Sequence, residues 1–376
     1  MIRPPAPARA SPAHALPRWT HGARRGRLAG APGHSWGEER PQDTHGAGAN
    51  AAFRSRAFAV AALQACLAAG YVPGRKPGRR SCASTARWRR SCCLVTQRLA
   101  GLGHAEVLEQ EGFVRVPSAI PSVHAGRLLD LVWEDYAVRH KVSRLDPSGW
   151  QTKKGRDVRL YGSPPASVQA SLSFDVAVAR LQNLADDMFG VGTWQCRAAS
   201  TLFVNCPNAR GRWTVPLGWH TDVEAEPAAP APTFLYAFAI LDDLEPKGGA
   251  TMLLAGSLRR ALAMGQVIPQ GGQVLKAALS KEDPWFEELF GPAEGGWWAE
   301  DLYSPAGAKR REERFMLEGT TSVGLHLRVV ELLGRAGDIV LWDPRALHSA
   351  SDNVSCRPRS VIRFRLDRVG GARGKK

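Results

Sequence analysis

From about residue 105 onward, apolar positions along the chain recur at readable intervals. Glu106 to Pro117 predicts a short helix, a stop at Gly112 and a strand over Phe113–Val116. Ser122 to Arg139 predicts an amphipathic helix, with Leu128, Leu129, Leu131, Val132 and Tyr136 on one side. Val176 to Phe189 predicts a second, carrying Val178, Leu181, Leu184 and Met188. From residue 199 the pattern changes to short β-rich runs bounded by Gly, Pro or Asp: Ser200–Asn205, Phe234–Leu241, Thr251–Leu254, Leu327–Leu332, Asp338–Trp342 and Ser360–Leu366. Arg363 and Arg365 alternate with Ile362, Phe364 and Leu366, which predicts outward-facing arginines.

Helices followed by many short strands predict a mainly β domain with flanking helices over 104–370, its core a double-stranded β-helix of the jelly-roll, cupin-like kind. Within it, 262–326 shows only weak pattern and reads as a lid or unpatterned insert. It holds Trp285, Phe286, Trp297, Trp298 and the cluster Lys309-Arg310-Arg311, read as a solvated surface.

Charge changes the picture at the N-terminus. The formal net charge is +15, but the first hundred residues hold 17 Lys/Arg and 3 Asp/Glu, leaving the rest near neutral. Residues 1–103 read as a basic leader, either disordered or a targeting segment for a mitochondrion or plastid, with Ala57–Val72 as its apolar stretch. Without that leader a cytoplasmic location is expected. Residues 371–376 form a basic tail. The main domain lacks the basic stripe of a nucleic-acid binder. No run of 18 apolar residues predicts a membrane span. The seven cysteines are irregularly spaced, include no CxxC, and read as reduced thiols.

The chemistry lies in three residues. His220 and Asp222 are two apart, so on a strand they share a face, and His348 follows at the end of a predicted strand. Two neutral imidazoles and one carboxylate form the facial triad that holds Fe(II) with open positions. Arg359, eleven residues after His348, supplies a fixed cation for a dicarboxylate cosubstrate. Trp219 and Trp342 read as core aromatics, and His140 and His326 as ordinary surface or core histidines.

Taken with their neighbours, these residues resemble the phytanoyl-CoA dioxygenase family of Fe(II)/2-oxoglutarate oxygenases across about 105–368. The resemblance rests on Gly112-Phe113-Val114-Arg115-Val116-Pro117, Leu202-Phe203-Val204-Asn205-Cys206-Pro207, Trp219-His220-Thr221-Asp222, Gly249 to Leu258, Gly337 to His348, and Asn353 to Arg359. It implies that His220, Asp222 and His348 bind iron and that Arg359 pairs with the distal carboxylate of 2-oxoglutarate. It also implies that Leu202, Phe238 and Asn205 contact that cosubstrate. With O₂ as co-reactant, the implied reaction hydroxylates a small organic or acyl substrate and releases succinate and CO₂. Leu258 and Ala255 depart from the family's His and Pro, and Ala350 from a serine that Ser349 or Ser351 could replace. Lys153, Lys154 and Arg159 are the candidates for an upstream cation. Two rival readings are a metallo-cupin without cosubstrate and a non-catalytic barrel.

Overall fold

The computed structural model describes residues 102–151, 158–208, 211–223, 225–226, 232–263, 268–269, 272–291 and 299–370. The leader, the tail, Lys153, Lys154, Trp297 and Trp298 lie outside them.

Two antiparallel sheets make the core. The larger has the order β1 (Phe113–Val116), β10 (Ile339–Trp342), β5 (Phe234–Ile240), β12 (Arg359–Arg368), β3 (Trp194–Asn205) and β2 (Arg159–Gly162). The smaller has the order β11 (His348–Ala350), β6 (Thr251–Ala255), β9 (Leu325–Glu331) and β8 (Thr320–Ser322). A separate two-stranded pair joins β4 (Ala225–Glu226) to β7 (Ile268–Pro269). Strands distant in sequence lie side by side, as in β1–β10 and β11–β6, and this is a jelly roll with helices outside.

Each sheet has an inner and an outer face, and both are covered. Leu202 and Val204 of β3 and Ile362, Phe364 and Leu366 of β12 pack outward under the helices Ser122–Arg139 and Leu172–Phe189, against Leu128, Val132, Phe174 and Leu181. Phe238, Ile240, Val340, Trp342 and Val361 point inward and meet Leu253 and Ala255 of the smaller sheet. Strands buried on both faces lose polar alternation, which is why β5 reads Phe-Leu-Tyr-Ala-Phe-Ala-Ile.

That double burial inverts one expectation. Ile362, Phe364 and Leu366 of β12 face the helices, so Arg359, Val361 and Arg363 are the ones that face inward.

The insert 262–326 is also a correction. Instead of an unpatterned loop, it forms the helices Gln273–Glu282, Pro284–Phe290 and Pro305–Glu312, with a π-helical turn over Glu313–Glu318. Leu275, Leu279, Trp285, Phe286, Leu289 and Phe315 pack on Met252, Leu254, Leu327 and Val329, the outer face of the smaller sheet. Within the supposedly solvated cluster, Arg311 is 6% exposed. It donates to the carbonyls of Val215, Glu288 and Leu289, and so ties the insert to the chain leading into His220.

Candidate metal and cosubstrate site

The segment carrying His220 and Asp222 is zipped to the segment carrying His348. The His220 and His348 backbones exchange N–H···O bonds of 3.0 and 2.9 Å, and Asp222 N–H donates to Pro344 O at 2.9 Å. Trp219, 1% exposed, anchors one side and donates through Nε1 to Pro216 O. On the other side a buried Asp343–Arg345 ion pair of 2.8 Å stiffens the turn, and Leu347 N–H donates to Ser257 Oγ.

Both imidazoles are oriented the same way. His220 Nδ1 donates to Gly218 O at 2.9 Å and His348 Nδ1 to Ala346 O at 3.0 Å. A carbonyl only accepts, so each ring carries its proton on Nδ1 and leaves Nε2 as a lone pair. The two Nε2 atoms lie 3.6 and 3.7 Å from Asp222 Oδ1. The three ligand atoms fall within 4.8 Å of one another. His348 is 5% exposed at its side chain, Asp222 28% and His220 46%, so the cluster opens on one side. Burial pulls the Asp222 carboxyl upward. The hydrogen bond and charge that His348 offers when its ring is protonated, with the charge of Arg363 and that of a protonated His220, outweigh it and hold the group below the usual carboxylate range. Backbone-oriented imidazoles around one carboxylate suit a divalent transition metal.

Arg359 opens β12 opposite Asn205 on β3. Its Nη1 donates to Gly249 O at 2.8 Å and its Nη2 to Thr251 Oγ1 at 3.2 Å, while the guanidinium lies 5.3 Å over Phe238 and 5.9 Å over Phe203. Gly249 makes this approach possible. Its φ is +78°, and a Cβ there would sit 2.7 Å from Asn205 Nδ2 and 2.9 Å from Asn353 Cβ. Burial pulls the Arg359 pKa down to about 10. Among the described residues no carboxylate pairs with it, and Arg359 Nε, Asn205 Oδ1 and Trp342 Nε1 are buried without hydrogen-bond partners. His348 pairs with Leu253 and Arg359 reaches Thr251, two residues along β6. That is about 7 Å of strand, a length that a five-carbon dicarboxylate spans.

The structure brings His220, Asp222 and His348 together, and places Phe238 and Asn205 beside Arg359. Leu202 is a correction. It pairs with Ile362 and points into the helix-side core, and its neighbour Phe203 faces Arg359 instead. Arg159 forms an ion pair with Asp352 at 2.5 Å. Ser351 donates to Ala250 O, and Ser349 is buried within β11, directly after His348. Trp342 is an inner-core aromatic whose ring meets the His348 ring edge-on at 4.6 Å. Among the described residues Cys196, Cys206 and Cys356 form no disulfide. His140 and His326 are exposed.

Sequence reasoning missed Arg363. Its Nη1 lies 3.5 Å from Asp222 Oδ2, and its guanidinium stacks 4.1 Å over Tyr236. The signal was present as a four-residue step from Arg359, which puts both on one face of β12.

Fold and site together define a jelly-roll barrel with two histidines, one carboxylate and a buried arginine converging inside it. No family model matches the chain and no curated protein is found to be similar to it. Similar solved structures include the epimerase SnoN in complex with Fe3+, alpha ketoglutarate and nogalamycin RO, at 16% identity and TM-score 0.40, covering 74% of this chain and 84% of that one. HygX from Streptomyces hygroscopicus, with nickel and 2-oxoglutarate bound, is 12% identical with TM-score 0.41, covering 71% and 87%. EvdO2 from Micromonospora carbonacea var. aurantiaca, complexed with 2-oxoglutarate, is 15% identical with TM-score 0.38, covering 72% and 92%. Likeness at this level transfers no function.

Proposed function

We propose that this chain is a non-haem Fe(II)- and 2-oxoglutarate-dependent dioxygenase that hydroxylates a small organic or acyl substrate and releases succinate and CO₂. The observation that carries the reading is the convergence of one oxygen of Asp222 and the Nε2 atoms of His220 and His348 within 4.8 Å. The buried guanidinium of Arg359, which has no carboxylate partner among the described residues and an unsatisfied Nε, supports the second half, because a cosubstrate carboxylate supplies an anion. It also favours this reading over a metallo-cupin that needs no cosubstrate.

His220, Asp222 and His348 would hold the metal. Ferrous iron, when bound, supplies the O₂ activation that side chains lack. The protein does the rest. The carbonyls of Gly218 and Ala346 keep both Nε2 lone pairs facing the ligand position. Asp222, ionised well below neutral pH, brings a negative charge to the site. Arg359 grips the distal carboxylate in a charge-assisted contact, its own position fixed by Gly249 O and Thr251 Oγ1. Phe238 and Trp342 wall the inner side and exclude water.

The test is succinate formation from 2-oxoglutarate under air. Purified protein with Fe(II) should produce succinate, even slowly without its substrate, and His348→Ala should not. Equal turnover in a folded His348→Ala protein would remove the metal assignment.

A further inference from the structure

Arg363 has no assigned task in that reading, and its surroundings are unusual for a strand arginine. Its side chain is 18% exposed and sits on the inner face of the barrel, beside the metal ligands. One contact with a carboxylate oxygen, Asp222 Oδ2, is long at 3.5 Å. Asp222 already directs its other oxygen at both imidazoles. Among the described residues Arg363 makes no other hydrogen bond, although a guanidinium carries five N–H donors. Aromatic rings hold it in place: Tyr236 at 4.1 Å and Phe203 at 5.3 Å from the guanidinium carbon. Tyr161, 68% exposed, meets Phe203 edge-on and forms the rim. The next arginine differs. Arg365 is neutralised by Asp367, which Arg197 also binds.

We propose that Arg363 is a specificity-determining residue that recognises an anionic group, in the first instance a carboxylate, on the primary substrate. The inference rests on the proposed function. With a divalent metal, Asp222, Arg359, Arg363 and a dicarboxylate cosubstrate in place, one positive charge remains uncompensated inside the barrel. A monoanionic substrate cancels it. The stacked rings fix the guanidinium while leaving its N–H edges free, and they offer an apolar wall to the rest of the molecule. The substrate class is therefore a small organic acid with an apolar or planar body, bound with its anionic end toward the metal-side wall of β12.

The test uses wild type, Arg363→Gln and Arg363→Lys, each loaded anaerobically with Fe(II) and 2-oxoglutarate. The visible absorption band of the complex is followed while phenylacetate, hexanoate and their primary amides are added. In wild type the acids should perturb the band at concentrations on the order of tenfold lower than the amides, as loss of a charge-assisted hydrogen bond requires. Arg363→Gln should erase that preference and Arg363→Lys should restore part of it, while the concentration of 2-oxoglutarate needed to form the band stays close to wild type. Acids and amides acting alike in wild type, or a preference that survives in Arg363→Gln, overturns the inference and leaves the proposed function standing. So does a large loss of 2-oxoglutarate affinity in Arg363→Gln without a change in preference, since Arg363 would then serve the cosubstrate. Failure of wild type to form any band overturns both.

Discussion

At Arg359 a full positive charge is held inside the barrel by a backbone carbonyl, a threonine hydroxyl and two aromatic faces, with no carboxylate beside it among the described residues. Arg359→Ala should raise the 2-oxoglutarate KM at least about thirtyfold, because losing one partner of a buried charged pair costs about 2–5 kcal/mol. Fe(II) affinity should stay nearly constant. An unchanged KM would place the cosubstrate elsewhere. That His220, Asp222 and His348 meet was legible in the sequence from their order and spacing between apolar runs. Arg363 was read as outward-facing for the converse reason. Where both faces of a strand are buried, hydrophobicity no longer says which side is which, and a one-residue error flips every side chain.

Among the elements, the helix Ser122–Arg139 was read to its ends, but Leu172–Phe189 starts four residues before the apolar repeat that revealed it. Its actual start is set by a cap, Ser171 Oγ accepting from Phe174 N–H. The insert was illegible because its described helices are short, none longer than 10 residues, and gain their stability from the sheet they cover. Arg311 is the joint between the two. Arg311→Met should leave three carbonyls without their donor and lower stability by about 1–3 kcal/mol, seen as a lower Tm with the fold intact. No change in Tm would mean that the insert docks through its apolar side chains alone. On β9, half-buried Glu331 accepts from Lys247 N–H, and desolvation pushes its pKa up to about 7. The folded state therefore binds the proton more tightly than the unfolded chain. Its contribution to stability is full below the ordinary glutamate pKa of 4.5 and is lost as pH rises to about 7. Glu331→Gln keeps an acceptor and cannot ionise. Its Tm should exceed that of wild type at pH 8 and converge with it near pH 4.5, and parallel Tm curves across that range would show that Glu331 ionises in the fold as it does in the unfolded chain.

For the whole molecule, the contrast between a basic first hundred residues and a near-neutral remainder predicts that residues 1–102 are dispensable for folding and turnover. A chain beginning at Gly103 retains the cap of the helix His104–Glu111, where Gly103 N–H donates to Glu106 Oε2 at 2.8 Å. It should melt at the temperature of the full chain and form succinate at the same rate. A lowered or broadened transition would mean that part of the leader docks on the barrel. No helix among the described residues is long and apolar enough to cross a membrane. The fold class was legible because strand runs and helical repeats are separable along the chain, whereas the pairing of β1 with β10 and of β11 with β6 joins segments too far apart in sequence for local pattern to reveal. The claim that binds these scales together is that the barrel interior holds a metal through His220, Asp222 and His348 and a dicarboxylate through Arg359. Anaerobic titration of the full chain with Fe(II) and then 2-oxoglutarate tests it most directly. A weak visible charge-transfer band should grow to saturation at one metal and one cosubstrate per chain, vanish in His348→Ala, and demand far more 2-oxoglutarate in Arg359→Ala. No band in wild type, or the same band in His348→Ala, would contradict it.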